Sequence, residues 1–393
     1  MKILLVCQYY YPERFSVSDI AEALVKDGNE VSVLTGRPNY GFQRILPEYK
    51  KVKYEEINGV KVHRVHVSPR KYSRLSIIRN YLSFNISAKR FVRHFKEKFD
   101  VVLSISLSPV ISISPAILYA RKHKVPCVLY CQDLWPESTL VTNAVKKNSL
   151  MYKVLYKWSK AIYSKCDRVV ISSPSFKDYF EKELNIKDKV FHVVNQPILM
   201  SSKQGDPVVY GNKHNLVYAG NIGKLQLTDM LVEAMKYVKT DDIKLHLMGM
   251  GSELSQIKEK ISAENLSNKV IYEGAYPIEK AETFYKNADA LVVCLKNEGY
   301  VGKTIPNKAI QYMKYGKPLL VVAKGDAYEM LKRANGSTFA DEDPRDIARA
   351  IDEICSSKEK DQYGLNNKKY FDEHFTTEKL TQLLLDELIS AIK

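Results

Sequence analysis

The feature that most constrains the fold is a regular alternation of strand-length apolar runs with helical patterns along most of the chain. Parallel strands that are buried on both faces are continuous apolar runs, and each needs a crossover, usually helical, to reach the next. The alternation therefore predicts an α/β protein whose parallel sheets are covered by helices. The predicted strands are 2–7, 30–34, 101–106, 127–131, 168–172 and 190–194, then 215–219, 244–248, 269–272, 290–295 and 319–322.

The alternation is interrupted once, where residues 198–213 lose periodicity and collect serine, glycine and proline. A chain of 393 residues also exceeds the usual size of a single core. We therefore predict a first domain at 1–197, a linker at 198–213 and a second domain at 214–376. A terminal helix at 377–393 would pack back on the first domain. Two doubly wound, Rossmann-like domains would then face each other across a cleft between the carboxyl ends of their strands.

The charge of the chain favours anionic ligands. Its net charge is +15, and a positive surface attracts nucleic acid, anionic lipid or phosphorylated small molecules. No recognised nucleic-acid motif is present, so nucleic acid is not an expected partner. The six cysteines lack zinc spacing, which favours reduced thiols in a cytoplasmic protein. The apolar start at 1–6 is too short for a leader. The uncharged stretch 101–120 contains serines and two prolines, which favours strand, turn and helix over a membrane span. The acidic run 341–343 resembles a metal-binding motif, but it precedes Pro344 and a predicted helix, where acids favour the helix dipole.

One segment of the second domain has the features of an anion site. The run 304–318 lies between two predicted strands, with Pro306 near the start of its helix and Gly316 just past the end. A helix that begins at the carboxyl end of a parallel strand directs free N–H groups and a positive dipole into the crevice of the sheet. This arrangement suits a nucleotide diphosphate, although an ordinary crossover helix has the same spacing.

Turns that contain glycine follow other strands of this domain. Glycine lets the backbone approach a phosphate closely, and a neighbouring lysine supplies positive charge. Each turn alone is equally typical of a plain strand-to-helix connection. The residues in question are Gly220, Asn221, Gly223 and Lys224 after the first strand, Gly249 after the second, and Glu273 and Gly274, where a nucleobase could bind, after the third.

Polar and aromatic residues follow the strands of the first domain. Gln132, Asp133 and Trp135 come directly after strand 127–131. Asp133 could accept a hydrogen bond from a sugar hydroxyl, although aspartate is also typical of helix N-caps and turns. The loops after the first two strands occupy the same edge and contain Tyr11, Glu13, Asn39 and Tyr40.

The chain resembles the retaining glycosyltransferases of family 4, which have the two-domain GT-B fold. It is most similar to the fucosaminyl-transferase-like enzymes of O-antigen and capsule assembly. The specific matches are Asp-Leu-Trp-Pro-Glu-Ser at 133–138 and Thr-Ile-Pro-Asn-Lys at 304–308. Broader matches are Tyr-Pro-Glu at 11–13, Pro-Asn-Tyr at 38–40 and Tyr-Ala-Gly-Asn-Ile-Gly-Lys at 218–224, so that the resemblance covers nearly the whole chain.

The resemblance implies transfer of a sugar from a UDP-linked donor with retention of configuration, without a metal or another cofactor. The expected sugar is N-acetylfucosamine or a related N-acetylhexosamine, and the expected acceptor is a polyprenyl-diphosphate-linked saccharide of bacterial surface polysaccharide. Asp133 would position the sugar, and Lys224 would stabilise the leaving diphosphate. The donor would contact Gly220, Asn221, Gly223, Lys224, Gly249, Glu273, Gly274, Thr304, Ile305, Pro306, Asn307, Lys308 and Gln311. The acceptor would contact Tyr11, Glu13, Asn39, Tyr40, Gln132 and Trp135.

The chain departs from the family pattern at several places. The glycine pair of the first loop is replaced around 15–18, and Gln132 stands where a histidine is common. Thr304 and Gln311 occupy the places of two glutamates, and Asn221 occupies that of an arginine. Two alternatives therefore remain beside a transferase. One is a catalytically silent scaffold of a membrane assembly complex, and the other is a sugar-nucleotide epimerase, against which the lack of an acid–base pair argues.

A basic stretch of the first domain predicts a membrane-binding surface. Between Arg70 and Lys98, basic residues alternate with apolar ones at near-helical spacing, against the single acid Glu97. A helix of this kind suits the interface of an anionic membrane, and lysines between 146 and 165 could extend the patch. The alternative is a solvated helix whose apolar face packs on its own sheet. We expect peripheral attachment to the inner face of the cytoplasmic membrane.

Overall fold

The computed structural model describes residues 1–13, 15–107, 109–141, 144–189, 191–197, 205–276 and 278–393. The chain forms two compact units, Met1–Leu199 with Thr377–Lys393 and Met200–Thr376. The first part of the predicted linker, 198–204, lies outside the described residues, as does residue 190 of the predicted strand 190–194.

The first unit contains one large sheet. Its strands are β1 (Lys2–Val6), β2 (Glu30–Gly36), β3 (Tyr54–Ile57), β4 (Val60–Val65), β5 (Val101–Ser106), β6 (Cys127–Cys131), β7 (Arg168–Ile171) and β8 (Phe191–Val193). They lie in the order β3-β4-β2-β1-β5-β6-β7-β8. All neighbouring pairs are parallel except β3 and β4. The order reverses between β1 and β5, which places a ligand crevice at the carboxyl ends of these strands.

Helices cover both faces of this sheet. Every residue of β5 and of β6 is buried, although successive side chains of a strand point to opposite faces. The parallel α/β architecture predicted from the alternation is therefore confirmed. The helices are α1 (Val17–Lys26), α2 (Arg74–His94), α3 (Ser114–His123), α4 (Glu137–Val141), α5 (Leu150–Tyr163) and α6 (Ser175–Asp178).

The hairpin formed by β3 and β4 is a feature that the sequence analysis missed. Ile57 pairs with Val60, so Asn58 and Gly59 alone form the turn. Both have positive φ, +50° and +79°, as a type I′ turn requires, and an Asn-Gly pair is a strong sequence signal for this turn. The hairpin adds an antiparallel edge to an otherwise parallel sheet.

The second unit is a smaller, wholly parallel sheet. Its strands are β9 (His214–Ala219), β10 (Ile243–Met248), β11 (Val270–Gly274), β12 (Ala290–Cys294), β13 (Leu319–Val322) and β14 (Ser337–Phe339), in the order β11-β10-β9-β12-β13-β14. The order reverses between β9 and β12. The helices are α7 (Thr228–Ala234), α8 (Leu254–Ala263), α9 (Ile278–Asn287), α10 (Asn307–Met313), α11 (Gly325–Ala334), α12 (Pro344–Ser356) and α13 (Lys360–His374).

The last helix, α14 (Thr377–Ile392), packs on the first unit, against α1, β5 and β7. Leu384 and Leu388 are buried in this contact. A partly buried ion pair accompanies it, because Arg168 Nη1 lies 2.7 Å from Glu387 Oε2. Apolar burial supplies the stabilisation and the ion pair adds orientation.

In the described part of the chain, none of the helices combines the length and the apolar character that crossing a bilayer requires.

We predict that Leu384→Ala destabilises the first unit by about 2–5 kcal/mol, because the substitution leaves a cavity between α14 and the sheet. The neighbouring Leu383 is 48% exposed, so Leu383→Ala should change the free energy of unfolding by only about 0.5 kcal/mol. Urea unfolding of the full chain measures both variants. Equal effects of the two substitutions would contradict the packing of α14.

Candidate active site

The carboxyl edge of the second sheet carries three adjoining turns. Gly220 follows β9, Gly249 follows β10, and Gly274 ends β11. The N–H of Gly220 donates to the carbonyl of Met248 at 3.0 Å, and the N–H of Gly249 donates to that of Gly274 at 2.9 Å. The turns are therefore joined to one another through their backbones.

Glycine is required where two of these turns meet. A Cβ on Gly249 would lie 1.8 Å from the carbonyl oxygen of Gly220, and one on Gly251 would lie 1.9 Å from that of Ile222. Gly249 also has a φ of +131°, which residues with side chains rarely adopt. Any side chain at these positions would force the turns apart. Their backbones are thus available for close approach by a phosphate.

An unpaired, buried amine lies beside the first turn. The Nζ atom of Lys308 lies 3.9 Å from the ring centroid of Tyr218 and 2.6 Å from the position of a Cβ on Gly220. The amine is shielded from solvent and has no hydrogen-bond partner among the described residues. Burial lowers its pKa to about 8. A buried cation without a counter-charge lowers stability, and a bound anion would balance it.

The helix that carries Lys308 is tied to the same turn. The N–H of Ala219 donates to Tyr312 OH at 2.9 Å, and that hydroxyl lies 3.1 Å from the carbonyl oxygen of Ala219. Gln311 Nε2 is buried and has no partner among the described residues. The helix α10 is short, with seven residues. We therefore assign the positive charge beside this turn to the amine of Lys308 rather than to the helix dipole. Of the other predicted residues, Thr304, Ile305 and Pro306 lead into α10 and Asn307 begins it.

The predicted catalytic Lys224 lies in the first turn but is exposed. It begins the 3-10 turn Lys224–Gln226, where its carbonyl accepts the N–H of Leu227, and its side chain makes no hydrogen bond with the described residues. Asn221 Nδ2 donates to Gln226 Oε1 at 2.8 Å and so closes the turn around Gly223. An exposed, unpaired lysine can extend towards a ligand at this edge of the sheet.

Glu273 makes a contact that the sequence analysis did not foresee. Its Oε1 lies 2.7 Å from Nδ1 of His246, and Nε2 of that ring lies 3.1 Å from Asn215 Oδ1. Tyr210 packs on the same ring, with centroids 4.7 Å apart. The carboxylate is thus already engaged by β10, and its contact with a nucleobase stays a prediction.

In the first unit, the carboxylate of Glu13 joins the loops after β1 and β2. Its Oε1 accepts the N–H groups of Asn39 at 2.6 Å and of Tyr40 at 2.5 Å. Its Oε2 is buried without a partner among the described residues. Burial raises the pKa of Glu13 to about 7, although these N–H groups oppose the rise. Tyr11 is exposed, and its carbonyl accepts a hydrogen bond from Arg64.

A buried asparagine of α2, which the sequence analysis missed, connects these loops. Asn80 Nδ2 donates to Asn39 Oδ1 at 2.9 Å and to the carbonyl of Ser68 at 2.6 Å. Its Oδ1 accepts from Gln8 Nε2 at 2.7 Å and from Tyr9 OH at 3.2 Å. The available signal was one of two asparagines, Asn80 and Asn85, within a helical pattern of basic and apolar residues. Asn80 thus fixes three loops at the edge of the first sheet.

The segment after β6 places a second polar group at that edge. Both amide atoms of Gln132 are buried without a partner among the described residues. Burial raises the pKa of the adjacent Asp133 to about 7. The ring of Trp135 packs edge-on against Trp158, 6.1 Å between centroids. An unsatisfied buried amide of this kind is suited to a polar ligand, such as a sugar hydroxyl.

The described residues include no cluster of three His, Cys, Asp or Glu side chains that could hold a metal ion. In the acidic run 341–343, Asp343 is the N-cap of α12 and accepts the N–H groups of Arg345 and Asp346. Asp341 forms an ion pair with Lys324. These acids therefore have structural roles.

Two family models match the chain, one in each unit. The model of Glycosyltransferase Family 4 matches residues 15–198. The model of Glycosyl transferases group 1 matches residues 202–370. The candidate residues described above fall within these two matches, apart from Tyr11 and Glu13.

Known proteins show the same likeness. The chain is 27% identical to the Pseudomonas aeruginosa protein named Probable glycosyltransferase WbjE, over 65% of this chain and 66% of that protein. It is 21% identical to WcaI of Escherichia coli (strain K12), a candidate glycosyl transferase of colanic acid biosynthesis, over 82% and 84%. The structure of HepE from Anabaena in complex with UDP has a TM-score of 0.71 at 12% identity, over 99% and 100% of the two chains. The alignment with WbjE thus spans about two thirds of that relative, and the likeness to HepE shows the fold.

We predict that Lys308→Met stabilises the unliganded protein and abolishes its response to nucleotide diphosphates. Methionine keeps the length of the side chain without the buried charge. Between the folded pKa of about 8 and the ordinary value of 10.5, the unfolded chain binds a proton that the folded chain does not. Wild-type stability therefore rises with pH across this window, and the advantage of the variant is largest at pH 8 or below.

Thermal unfolding at pH 7.5 and pH 9.5, with and without UDP, measures this effect. A gain of about 1 kcal/mol corresponds to about 2–4 °C in a unit of this size. Lys239→Met, which removes an exposed lysine of the same unit, should change neither the unfolding temperature nor the response to UDP. A destabilised Lys308→Met variant that still responds to UDP would contradict the assignment.

Proposed function

We propose that this chain, which belongs to the group 1 glycosyltransferases of the GT-B fold, transfers a sugar from a nucleotide diphosphate donor bound at the edge of its second sheet. The observation that carries the proposal is the unpaired, buried amine of Lys308 beside Gly220. A diphosphate would supply the negative charge that this amine lacks, and the turns without side chains would admit it to the backbone.

Two lysines would stabilise the leaving group. As the bond between the anomeric carbon and the diphosphate breaks, negative charge develops on the phosphate oxygens. Lys308 is held in a buried position, where an opposite charge interacts more strongly than in water. The exposed Lys224 would complete the contact after the donor binds. We propose that this arrangement acts without a metal ion.

We propose that the transfer retains the anomeric configuration and uses no separate protein base. The acceptor hydroxyl would attack the anomeric carbon on the face that the diphosphate leaves, and a phosphate oxygen of the donor would accept its proton. Asp133 and the unsatisfied amide of Gln132 would hold sugar hydroxyls in place for this attack. Such positioning lowers the entropic part of the barrier.

We propose a UDP-linked donor that carries N-acetylfucosamine or a related N-acetylhexosamine. The resemblance to fucosaminyl-transferase-like enzymes supports the sugar, and the UDP held by HepE on the same fold supports the nucleotide. The acceptor would be a lipid-linked saccharide of bacterial surface polysaccharide. The description of WcaI as a candidate enzyme of colanic acid biosynthesis supports this class.

A lipid-linked acceptor would place the protein at the inner face of the cytoplasmic membrane, and two helices have surfaces that suit it. Each has exposed apolar side chains at helical spacing together with basic residues, which fits an anionic bilayer. We name the first set the α2 stripe. It consists of Leu75, Ile78, Leu82 and Ile86, and the matching set on α5 consists of Leu150, Met151, Val154 and Trp158.

We predict that UDP stabilises the pure protein in EDTA and that GDP does not. At about 100 times its dissociation constant a ligand adds roughly 2.7 kcal/mol, which raises the unfolding temperature by about 5 °C or more. Thermal unfolding with each nucleotide measures the selectivity, and NMR of the product reports the anomeric configuration. A response to GDP alone would overturn the donor. No response to either would favour a silent scaffold, and epimerised donor without transfer would favour an epimerase.

We predict that two substitutions separate binding from positioning. Lys224→Ala should weaken UDP binding about 10-fold, because a charged hydrogen bond is lost. Asp133→Asn should leave UDP binding unchanged and lower turnover by about 100-fold.

Because the folded pKa of Asp133 is raised to about 7 from 3.8, its ionisation costs stability as pH rises through this window. Asp133→Asn should therefore unfold at a higher temperature than the wild type at pH 8 and at the same temperature at pH 4. Equal turnover of Asp133→Asn and the wild type would remove its assigned role.

A further inference from the structure

One guanidinium of the first unit lacks an acidic partner. Arg70 Nη1 donates to Tyr81 OH at 2.6 Å and to Tyr9 OH at 3.3 Å. Its Cζ lies 5.3 Å from the ring centroid of Tyr40. Its Nε and Nη2 donate to no group in the described ranges, and no carboxylate of those ranges pairs with it. Arg70 is only half-buried, so these donors remain available to an anion.

A second guanidinium lies on the neighbouring loop. Arg37 follows β2, and its Nε is buried without a partner among the described residues. Asn39 Nδ2 donates to the carbonyl of Arg37 at 2.8 Å, while Asn39 Oδ1 accepts the N–H of Arg70 at 3.1 Å. One buried amide thus holds the backbones of both arginines. A buried, unsatisfied donor on a charged group calls for a ligand or another partner.

The loop of Arg70 is also joined to the start of α2. The N–H of Lys71 donates to Ser76 Oγ at 2.9 Å, and that hydroxyl donates to the carbonyl of Pro69 at 2.9 Å. The α2 stripe begins at this point with Leu75, which is 75% exposed. A positively charged loop and an apolar helical face are therefore contiguous.

We propose that Arg37 and Arg70 bind the phosphate groups of the lipid-linked acceptor, and that the α2 stripe takes the first part of its lipid chain. The inference rests on the proposed function, because it assigns a place to the charged part of that acceptor. The acceptor residues predicted from the sequence are neutral or acidic. Guanidinium groups supply charge-assisted, bidentate hydrogen bonds that match phosphate oxygens.

The other charged groups at this edge are compatible with a bound phosphate. Glu13 is bonded through Oε1 to the backbone N–H groups of Asn39 and Tyr40. Burial raises the pKa of its carboxyl to about 7, which reduces its negative charge near neutral pH. Arg64 pairs with Glu55 and so is not free for a ligand. Lys71 and Arg74 follow Arg70 in the sequence, and both are exposed. They add positive potential to this part of the surface.

The test uses farnesyl diphosphate, a short polyprenyl diphosphate, titrated calorimetrically into the chain of 393 residues. Arg70→Gln and Arg37→Gln should each weaken its binding at least 10-fold. Arg79→Gln removes an exposed charge from α2 and should leave binding within 2-fold of the wild type. Inorganic pyrophosphate should show the same dependence on the two arginines, and farnesol should not. The shift in unfolding temperature with UDP, recorded for every variant, reports on the fold and on the donor site separately.

Several outcomes would overturn the subsite. The first is no binding of farnesyl diphosphate to the wild type, and the second is equal binding by all variants, in each case while the response to UDP persists. Flotation with phosphatidylglycerol vesicles separates the two sources of lipid phosphate. Loss of flotation in Arg70→Gln with unchanged binding of farnesyl diphosphate would assign Arg70 to bilayer headgroups and overturn the proposal. A missing UDP response in the wild type would instead count against the proposed function.

Discussion

The proposed donor site of the second unit depends on the contact between Gly249 and the carbonyl of Gly220. A Cβ on Gly249 would lie 1.8 Å from the carbonyl oxygen of Gly220, which leaves no room for a side chain. The two turns therefore meet backbone to backbone. Tyr312 then fastens α10 to the end of β9. This fastening brings the amine of Lys308 beside the turn, where no protein group neutralises it among the described residues. The proposed anion site is therefore a consequence of packing between backbones.

In the first unit, two buried amides have the corresponding role. Asn80 connects α2 to the loops after β1 and β4, and Asn39 connects the loop after β2 to the backbones of Arg37 and Arg70. Fully satisfied amides of this kind hold loops in one arrangement, because each lost bond would leave a buried polar group unpaired. Loops that would otherwise vary are thus fixed at the edge of the sheet.

The proposed site residues share a cost in stability. Burial lowers the pKa of Lys308 and raises the pKa values of Glu13 and Asp133, so the charged form of each is disfavoured in the folded protein. A protein selected for stability alone would replace them with neutral residues. Their environment is instead suited to ligands that complete the missing charges and hydrogen bonds.

The sequence alone determined the architecture. Strands that are buried on both faces of a parallel sheet are continuous apolar runs, and their alternation with helical patterns is visible in the sequence. It also located the turns at Gly220 and Gly249, the run from Thr304 to Lys308 and the segment after β6. The Asn58-Gly59 pair is an equally clear sequence signal for a hairpin, and the sequence analysis missed it. Tertiary structure alone decided which polar groups find partners. Glu273 is engaged by His246, Asn80 reaches Asn39 across 41 residues, and the amine of Lys308 is left unpaired. Local patterns record which side chains are buried, whereas the pairing of distant polar groups depends on which loops the fold brings together.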